Sequence, residues 1–280
     1  MRERHSKMKN EVLVRPLKWH EIPLLEGMAP PEWNSDLPAF MTTHFGEPYF
    51  YPIVADMSGA IIGVAEDIQN GETGWLGNII VLPEHRGQGI GTELTVCLIQ
   101  HLAARGCRRQ LLIATPLGEP IYRKLNFRVS SRYRFFKGPR LTGPTDFSTL
   151  RGIGLQDSGP ILDLDRQASG EDRGLMLSKF FSGGWVHQDR STWKVDCFFL
   201  PAFGAGLIVA ANKDAGLALL QLKHSQVERM EVLPEANRDA ADFLLRNGFE
   251  EFMTAPRMFL GEEADWKPHC VYARGSGYSG

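Results

Sequence analysis

The segment at residues 81–102, VLPEHRGQGIGTELTVCLIQHL, has glycines at three alternate positions, Gly87, Gly89 and Gly91. They follow an apolar run and precede a stretch with the spacing of an amphipathic helix. A strand that ends in a glycine-rich loop and opens onto a helix presents unpaired backbone N–H groups at the positive end of the helix dipole. The pattern therefore predicts an anion site, most often one for a phosphate group.

Two common phosphate loops do not fit this spacing. The dinucleotide-binding fingerprint needs GxGxxG and an acidic residue about 20 positions later, whereas this chain has GxGxG and Leu111. The P-loop needs a Lys-Ser/Thr pair after its last glycine, and here Thr92-Glu93 follows Gly91.

Residues 86–91, RGQGIG, resemble the acetyl-CoA loop of the GNAT superfamily of N-acetyltransferases, Arg/Gln-x-x-Gly-x-Gly/Ala, in the register Arg86, Gly89, Gly91. WLGNIIVLPEHRGQGIG is similar to the fourth strand and pyrophosphate arm of that family, and ATPLGEPIYRKLNF to its fifth strand and following helix. The resemblance covers most of residues 11–138. It departs from the family at Asn126, where glycine usually precedes the phenylalanine, but asparagine tolerates a left-handed backbone.

The resemblance implies acetyl-CoA as cosubstrate and no metal. Glycines near a helix expected to start near Thr92 would leave the backbone open to the pyrophosphate. The amides of pantetheine would pair with the strand at residues 78–81, and a backbone N–H near Ile80 and Val81 would stabilise the oxyanion. The predicted cosubstrate-binding residues are Ile79, Ile80, Val81, Arg86, Gly87, Gln88, Gly89, Ile90, Gly91 and Thr92.

The reaction implied by the resemblance is direct attack of an amine on the acetyl carbonyl. Tyr122, five residues before Phe127, matches the tyrosine that serves as general acid in many members of the family. Together with Val81 it is the predicted catalytic residue. An alkyl ammonium with a pKa near ~10.4 must first lose a proton. Glu66, Asp67 and Glu72 are candidate bases, but the general exposure of carboxylates favours a surface position for each, and the sequence assigns no base.

The length of 280 residues predicts two domains. The stretch KGPRLTGPTDFST, rich in Gly, Pro and small polar residues, predicts their boundary, with domains at 10–140 and 146–280. RQLLIATPLGEPIYRKLNFRVSSRYRFFKG and VERMEVLPEANRDAADFLLRNGFEEFMTAPRMFLG share a strand, a short helix, an Asn/Gly-Phe junction and a second strand. The expected fold is α+β, with tandem GNAT-like domains that each have a mostly antiparallel mixed sheet flanked by helices.

The second half resembles, more weakly, a C-terminal GNAT-like domain, through DLDRQASGEDRGLML and NGFEEFMTAPRMFLG. Its counterpart of the glycine loop, residues 210–216, lacks the Arg-x-x-Gly-x-Gly pattern, and its counterpart of Tyr122 is Leu244. We therefore expect a non-catalytic domain that binds substrate or is structural. A cluster of five charged residues could either cap helices on the surface or hold a cationic substrate. The cluster is Asp163, Asp165, Glu171, Asp172 and Arg173.

Local patterns predict the other elements. A strand is expected at residues 11–18, a helix in WHEIPLLEGMAP, and an irregular segment or a helix broken by Pro38 after it. Three β-rich runs separated by Ser58-Gly59 and Asn70-Gly71 predict an antiparallel meander.

Composition limits the partners. With 43% hydrophobic residues, 23% charged residues and a net charge of −2, nothing indicates nucleic acid or membrane binding. The polar N-terminus and the lack of a long apolar run favour a cytoplasmic protein. The four cysteines are expected to be reduced and mostly buried, and the spacing of the eight histidines predicts no metal site.

The acceptor is not identified by the sequence. A small-molecule amine is favoured over a protein, and a homodimer is left open. Polyamine, amino acid, antibiotic and protein N-terminus all fit the predicted chemistry. The alternative function is a non-catalytic acyl-CoA-binding or sensory module that keeps the loop without the chemistry.

Overall fold

The computed structural model describes residues 12–33, 35–142, 148–189, 193–226 and 230–277. The chain divides into two compact units. The first contains residues 1–69 and 74–107, and the second contains residues 70–73 and 108–280.

The first unit is built on a meander. Its strands follow the order β1-β2-β3-β4, in which β2-β3-β4 is the meander that the sequence predicted and β1 adds a fourth strand at its edge. β1 and β3 are both antiparallel to β2. Its strands and helices are β1 (Val12–Pro16), α1 (Leu37–His44), β2 (Phe50–Met57), β3 (Ala60–Asn70), β4 (Thr73–Val81) and α2 (Ile90–Ala104).

The region between β1 and β2 differs from the expectation. The predicted helix after β1 is a short 3₁₀ helix, Trp19–Leu25. Pro38 does not break a helix, because it lies in the first turn of α1, where a missing N–H costs nothing. Asp36 caps that helix by accepting a 2.9 Å hydrogen bond from the N–H of Ala39.

The second unit has one sheet in the order β5-β12-β6-β11 and a five-stranded sheet in the order β13-β10-β9-β8-β7. Its elements are β5 (Arg109–Ile113), α3 (Glu119–Lys124), β6 (Arg128–Lys137), β7 (Leu150–Gly152), α4 (Ser158–Ser169), α5 (Gly174–Leu177), β8 (Trp185–Gln188), β9 (Val195–Leu200), β10 (Leu207–Ala210), α6 (Lys213–Gln226), β11 (Met230–Pro234), α7 (Arg238–Arg246), β12 (Glu250–Gly261) and β13 (Val271–Ala273). The sequence did not predict β8, whose four residues carry too short a pattern.

The predicted internal repeat is confirmed as β5–α3–β6 and β11–α7–β12. Asn126 and Gly248 both have a left-handed backbone, with φ of 68° and 83°. Each helix ends in the same way, because the N–H of Phe127 donates to the carbonyl of Tyr122 and the N–H of Phe249 to that of Leu244, both at 3.0 Å. Asparagine therefore replaces glycine at the first junction without changing its geometry.

The two copies of the repeat exchange a strand. β12 lies between β5 and β6 and is antiparallel to both, so that Arg257 stands opposite Ile113 on one side and Ser131 on the other. β11 pairs with the second edge of β6. The second compact unit thus includes β5 and β6, which the expected boundary assigned to the first domain. The division into residues 10–140 and 146–280 stays a prediction, and residues 143–147 of the linker lie outside the described part.

Two further features concern the whole described chain. Among the described residues, no helix combines the length and the apolar composition that crossing a bilayer requires. All four cysteines are free thiols, with Cys97 half-buried and the other three buried, as predicted.

We expect Leu244→Ala to lower the free energy of unfolding by about 2–5 kcal/mol, because the residue is 0% exposed within an apolar cluster and its truncation leaves a cavity. Urea denaturation measures the change. Leu245→Ala is the matched control, since Leu245 is 45% exposed on the same helix and should cost less than about 1 kcal/mol. Equal losses in the two variants would contradict this assignment of the buried face.

Candidate active site

The glycine loop joins β4 to α2. A short 3₁₀ turn, Pro83–His85, comes first, and α2 begins at Ile90, two residues before the expected start near Thr92. Gly87 and Gly89 have φ of +74° and +88°, which side chains other than glycine rarely adopt. A Cβ atom at either position would meet no atom within 4 Å, so backbone conformation, and not crowding, requires glycine here.

Gly89 is the N-cap residue of α2, and the N–H of Glu93 donates to its carbonyl at 3.0 Å. Glycine has no side chain that could accept from the first-turn N–H groups. The helix therefore begins with backbone donors turned toward an open loop, which is the arrangement that binds anions.

The ten predicted cosubstrate residues lie in the first unit, at the end of β4, in the glycine loop and in the first turn of α2. Residues 86–89 and Thr92 are exposed, whereas Ile80 and Ile90 are buried in the core. The Nε of Arg86 donates to the carbonyl of Val81 at 2.9 Å and ties the loop to the end of β4. In β4, the backbone N–H and C=O groups, and not the apolar side chains, are the groups available for chemistry.

Asn78, which sequence reasoning did not single out, interrupts β4 with a left-handed backbone, φ +42°. Its side-chain amide donates to Oε1 of Glu66 on β3 at 2.9 Å. The only signal in the sequence is an asparagine inside the apolar run WLGNIIV, since asparagine tolerates this backbone better than its neighbours. The structure thus joins a strand irregularity to a buried carboxyl group.

The three candidate bases have different surroundings. Glu66 is 0% exposed, and burial raises its pKa well above the ordinary value. Burial also raises the pKa of Asp67, to about 8, but Oδ2 of Asp67 is hydrogen-bonded to Nδ1 of His101 on α2 at 2.8 Å. Glu72 is exposed and forms a salt bridge with Arg108. These acids do not converge on one site.

Tyr122 belongs to the second unit and lies on α3. Its ring packs on Gly118, where a Cβ atom would approach a ring carbon to 2.7 Å. The residue is 8% exposed, and burial raises the pKa of its phenol to about 12. The hydroxyl therefore holds its proton at neutral pH, as a proton donor must.

The second half caps its corresponding helix differently. Asn212 precedes α6, and its side-chain oxygen accepts from the N–H of Ala215 at 3.1 Å. A side chain of the protein thus occupies part of the position where an anion would bind. This agrees with the absence of the glycine pattern from residues 210–216.

Arginines pair with Asp163, Asp165 and Asp172 of the charged group around α4, and the buried Glu171 accepts a hydrogen bond from the amide of Asn70 at 3.0 Å. Asp165 is paired with Arg173, whose Nε lies 3.0 Å from a carboxylate oxygen, and both residues are buried. Asp163 and Asp172 are exposed beside Arg166, at 3.2 and 3.6 Å. The arrangement supports the structural interpretation of these acids and not the cation-holding one.

In the part of the chain that the structure describes, no three His, Cys, Asp or Glu side chains are placed together to hold a metal ion.

Comparison with known protein families gives a match within the first half of the chain. Residues 18–127 match the model of the acetyltransferase (GNAT) family. No curated protein matches the sequence.

Several solved structures share the fold. A Pyrococcus horikoshii protein provisionally classed as an acetyltransferase is 18% identical, with a TM-score of 0.81 over 100% of this chain and 99% of its own. A tandem GNAT protein of the clavulanic acid biosynthesis pathway is 14% identical, with a TM-score of 0.61 over 91% of this chain and 100% of its own. A GCN5-related N-acetyltransferase of Sphaerobacter thermophilus is 14% identical, with a TM-score of 0.59 over 96% and 98%. At these identities the likeness establishes the fold alone.

Proposed function

Since residues 18–127 carry an acetyltransferase domain of the GNAT family, we propose that the protein transfers the acetyl group of acetyl-CoA to a primary amine by direct attack. The observation that carries the proposal is the open, left-handed glycine N-cap of α2 at the end of β4. Backbone donors there suit the pyrophosphate of coenzyme A, and the glycines let it approach closely.

The cosubstrate is proposed to lie along β4 and the loop. The pyrophosphate accepts from N–H groups of residues 87–92, and the pantetheine amides pair with the backbone of residues 78–81 like an added strand. The thioester carbonyl then comes near Ile80 and Val81, and the N–H of Val81 stabilises the oxyanion of the tetrahedral intermediate. This geometry needs no particular side chain from the strand.

Tyr122 is proposed as the general acid that protonates the departing thiolate. Its high pKa keeps the phenol protonated until the thiolate forms. A thiol has a pKa near ~8.5, so transfer from the phenol depends on orientation by the site. The role rests on the position of Tyr122 five residues before Phe127, as in relatives of the family.

The second half is proposed to be non-catalytic. Leu244 is the counterpart of Tyr122 by the same helix-ending hydrogen bond, and it has no proton to donate. Asn212 caps α6, so this helix start offers fewer open donors than the start of α2. One acetyl-CoA should therefore bind each chain.

Acetyl-CoA at a hundredfold excess over its Kd should stabilise the protein by roughly 2.7 kcal/mol, because it binds only the folded state. Thermal unfolding with acetyl-CoA, NAD and ATP measures this, and NAD and ATP should have little effect. Calorimetry should count one site per chain. A rise in the unfolding temperature with NAD but none with acetyl-CoA would contradict the assignment of the glycine loop to acetyl-CoA.

Gly89→Val should weaken acetyl-CoA binding sharply, since valine is strained at φ +88° and its side chain would extend into the anion position. Calorimetry gives the affinity. Gly106→Val is the control, because Gly106 has φ +84° and equally open space in the same unit. It shares the strain but should keep the affinity. Parental binding by Gly89→Val would contradict the pyrophosphate site.

Tyr122→Phe should lower kcat by roughly 10²–10⁴-fold with little change in acetyl-CoA affinity, because it removes the proton donor and keeps the ring. Thiol release with spermidine, L-lysine, kanamycin and an alanine-starting peptide as acceptors measures turnover. Tyr133→Phe, at another buried tyrosine of the same unit, is the control. Full turnover by folded Tyr122→Phe would exclude the role. No turnover by the parent with any acceptor would favour the alternative, an acyl-CoA-binding module.

A further inference from the structure

We propose that Glu66 is the general base of the acetyl transfer, and that it takes the proton of the acceptor ammonium through one water. The proposal rests on the function proposed above. The observations behind it are the placements of Glu66, Asn78 and the end of β4, all within the first unit.

One carboxyl oxygen of Glu66 is left without a hydrogen bond by the described residues. Its Oε1 accepts from the amide of Asn78, but Oε2 is buried and has no hydrogen-bond partner among the described residues. An unpartnered buried carboxyl oxygen is costly, and the natural exceptions to full pairing concentrate at functional sites. A water or polar group that arrives with the substrates would supply the missing hydrogen bond to Oε2.

Asp67, the next residue, is also buried, so burial alone does not distinguish Glu66 as the base. Successive side chains of a strand point to opposite faces, and Asp67 points toward α2. There it pairs with His101, whose ring stacks on Tyr51 at a centroid distance of 3.7 Å. The carboxyl of Asp67 is thus occupied by the protein itself.

Glu66 instead points toward the strand proposed to hold the thioester. Its partner Asn78 precedes Val81 by three residues of β4, which is about 7–10 Å along a strand. An attacking nitrogen lies about 3–3.5 Å from the carbonyl carbon, and each hydrogen bond adds about 2.8 Å. One water between the amine and Oε2 gives a path of about 9 Å from the carboxyl oxygen to the carbonyl carbon, which is comparable to the separation of the two positions.

The step balances with these groups. One ammonium proton passes through the water to the Glu66 carboxylate, which becomes a carboxylic acid, and the freed nitrogen lone pair forms the C–N bond. When the intermediate collapses, the C–S bond breaks and the thiolate takes the proton of Tyr122. The second proton lost by nitrogen restores that phenol through solvent, and Glu66 releases its proton to solvent.

The pH dependence follows from the surroundings of Glu66. Burial raises its pKa most, the amide of Asn78 opposes that rise, and the charge of Asp67 adds to it. Since only the carboxylate can accept a proton, the rate should rise as the pH passes through this elevated pKa. The elevated pKa of Glu66 is also closer to the pKa of the amine.

The test compares Glu66→Gln with Asp67→Asn, two isosteric changes at adjacent buried acids. The probes are acetyl-CoA and whichever of spermidine, L-lysine, kanamycin or the alanine-starting peptide the parent acetylates. At about pH 7, Glu66→Gln should lower kcat by roughly 10²–10⁴-fold without changing acetyl-CoA affinity. Asp67→Asn should keep the kcat reached above the pKa of Glu66 within about threefold, and the rise in rate should move to lower pH because the charge of Asp67 is gone.

The deficit of Glu66→Gln should shrink as the pH approaches the amine pKa near ~10.4, because the amine then loses its proton without help. A merely structural role would leave the deficit constant with pH. Thermal unfolding checks folding, and the variant should be at least as stable as the parent, since glutamine carries no charge to bury.

Asn78→Gly is the second variant, because glycine keeps the left-handed backbone and removes the amide donor. Loss of that hydrogen bond to the charged form should move the rise in rate to higher pH. A pH profile identical to that of the parent, or full turnover by Glu66→Gln, would overturn the proposal while leaving the acetyl transfer intact. A loss confined to Asp67→Asn would assign the base to the Asp67–His101 pair instead. A parent that binds acetyl-CoA but acetylates none of the four amines would remove both proposals.

Discussion

The backbone hydrogen bonds of β12 to β5 and β6 are the interaction on which the second unit depends. β5 and β6 are joined by α3 but do not pair with each other, since a strand from the other copy of the repeat lies between them. The position of α3, and with it Tyr122, is therefore fixed by residues more than 100 positions later in the sequence. This gives the second half a role in the proposed chemistry without a catalytic group of its own.

The two copies of the repeat also show how one backbone plan supports different side chains. The helix-ending bond to Tyr122 and the bond to Leu244 are equivalent, and the left-handed residue before each phenylalanine is asparagine in one copy and glycine in the other. Because the turn requires only a tolerated backbone, the side chain five residues earlier is free to vary. In one copy it is a phenol, and in the other it fills the core.

Helix starts in the two halves satisfy the same need in opposite ways. Every helix begins with N–H groups that lack an intrahelical partner. Asn212 satisfies one of them at α6 with its own side chain, whereas Gly89 leaves those of α2 open. The difference between a structural cap and a candidate anion site is thus a single residue type at the N-cap, combined with a left-handed φ.

The sequence by itself determined the features that depend on local conformation. The glycine loop, the meander, the repeat and the free cysteines could be predicted, because φ preferences, hydrophobic periodicity and turn residues act over a few positions. The same local rules misjudged Pro38, since a proline that opens a helix and one that breaks it differ only in where the helix starts.

Tertiary structure decided what depends on distant partners. No pattern within the sequence indicated that β12 would separate β5 from β6, because strand order is set by pairing across the fold. Nor did any pattern distinguish Glu66 from Asp67, two adjacent acids that are both buried. Their difference arises only when α2 packs against one face of β3 and β4 lies beside β3 in the sheet, so that one carboxyl group meets His101 and the other meets Asn78. Residue type and local spacing specify which groups a chain can use, whereas packing specifies what each group faces.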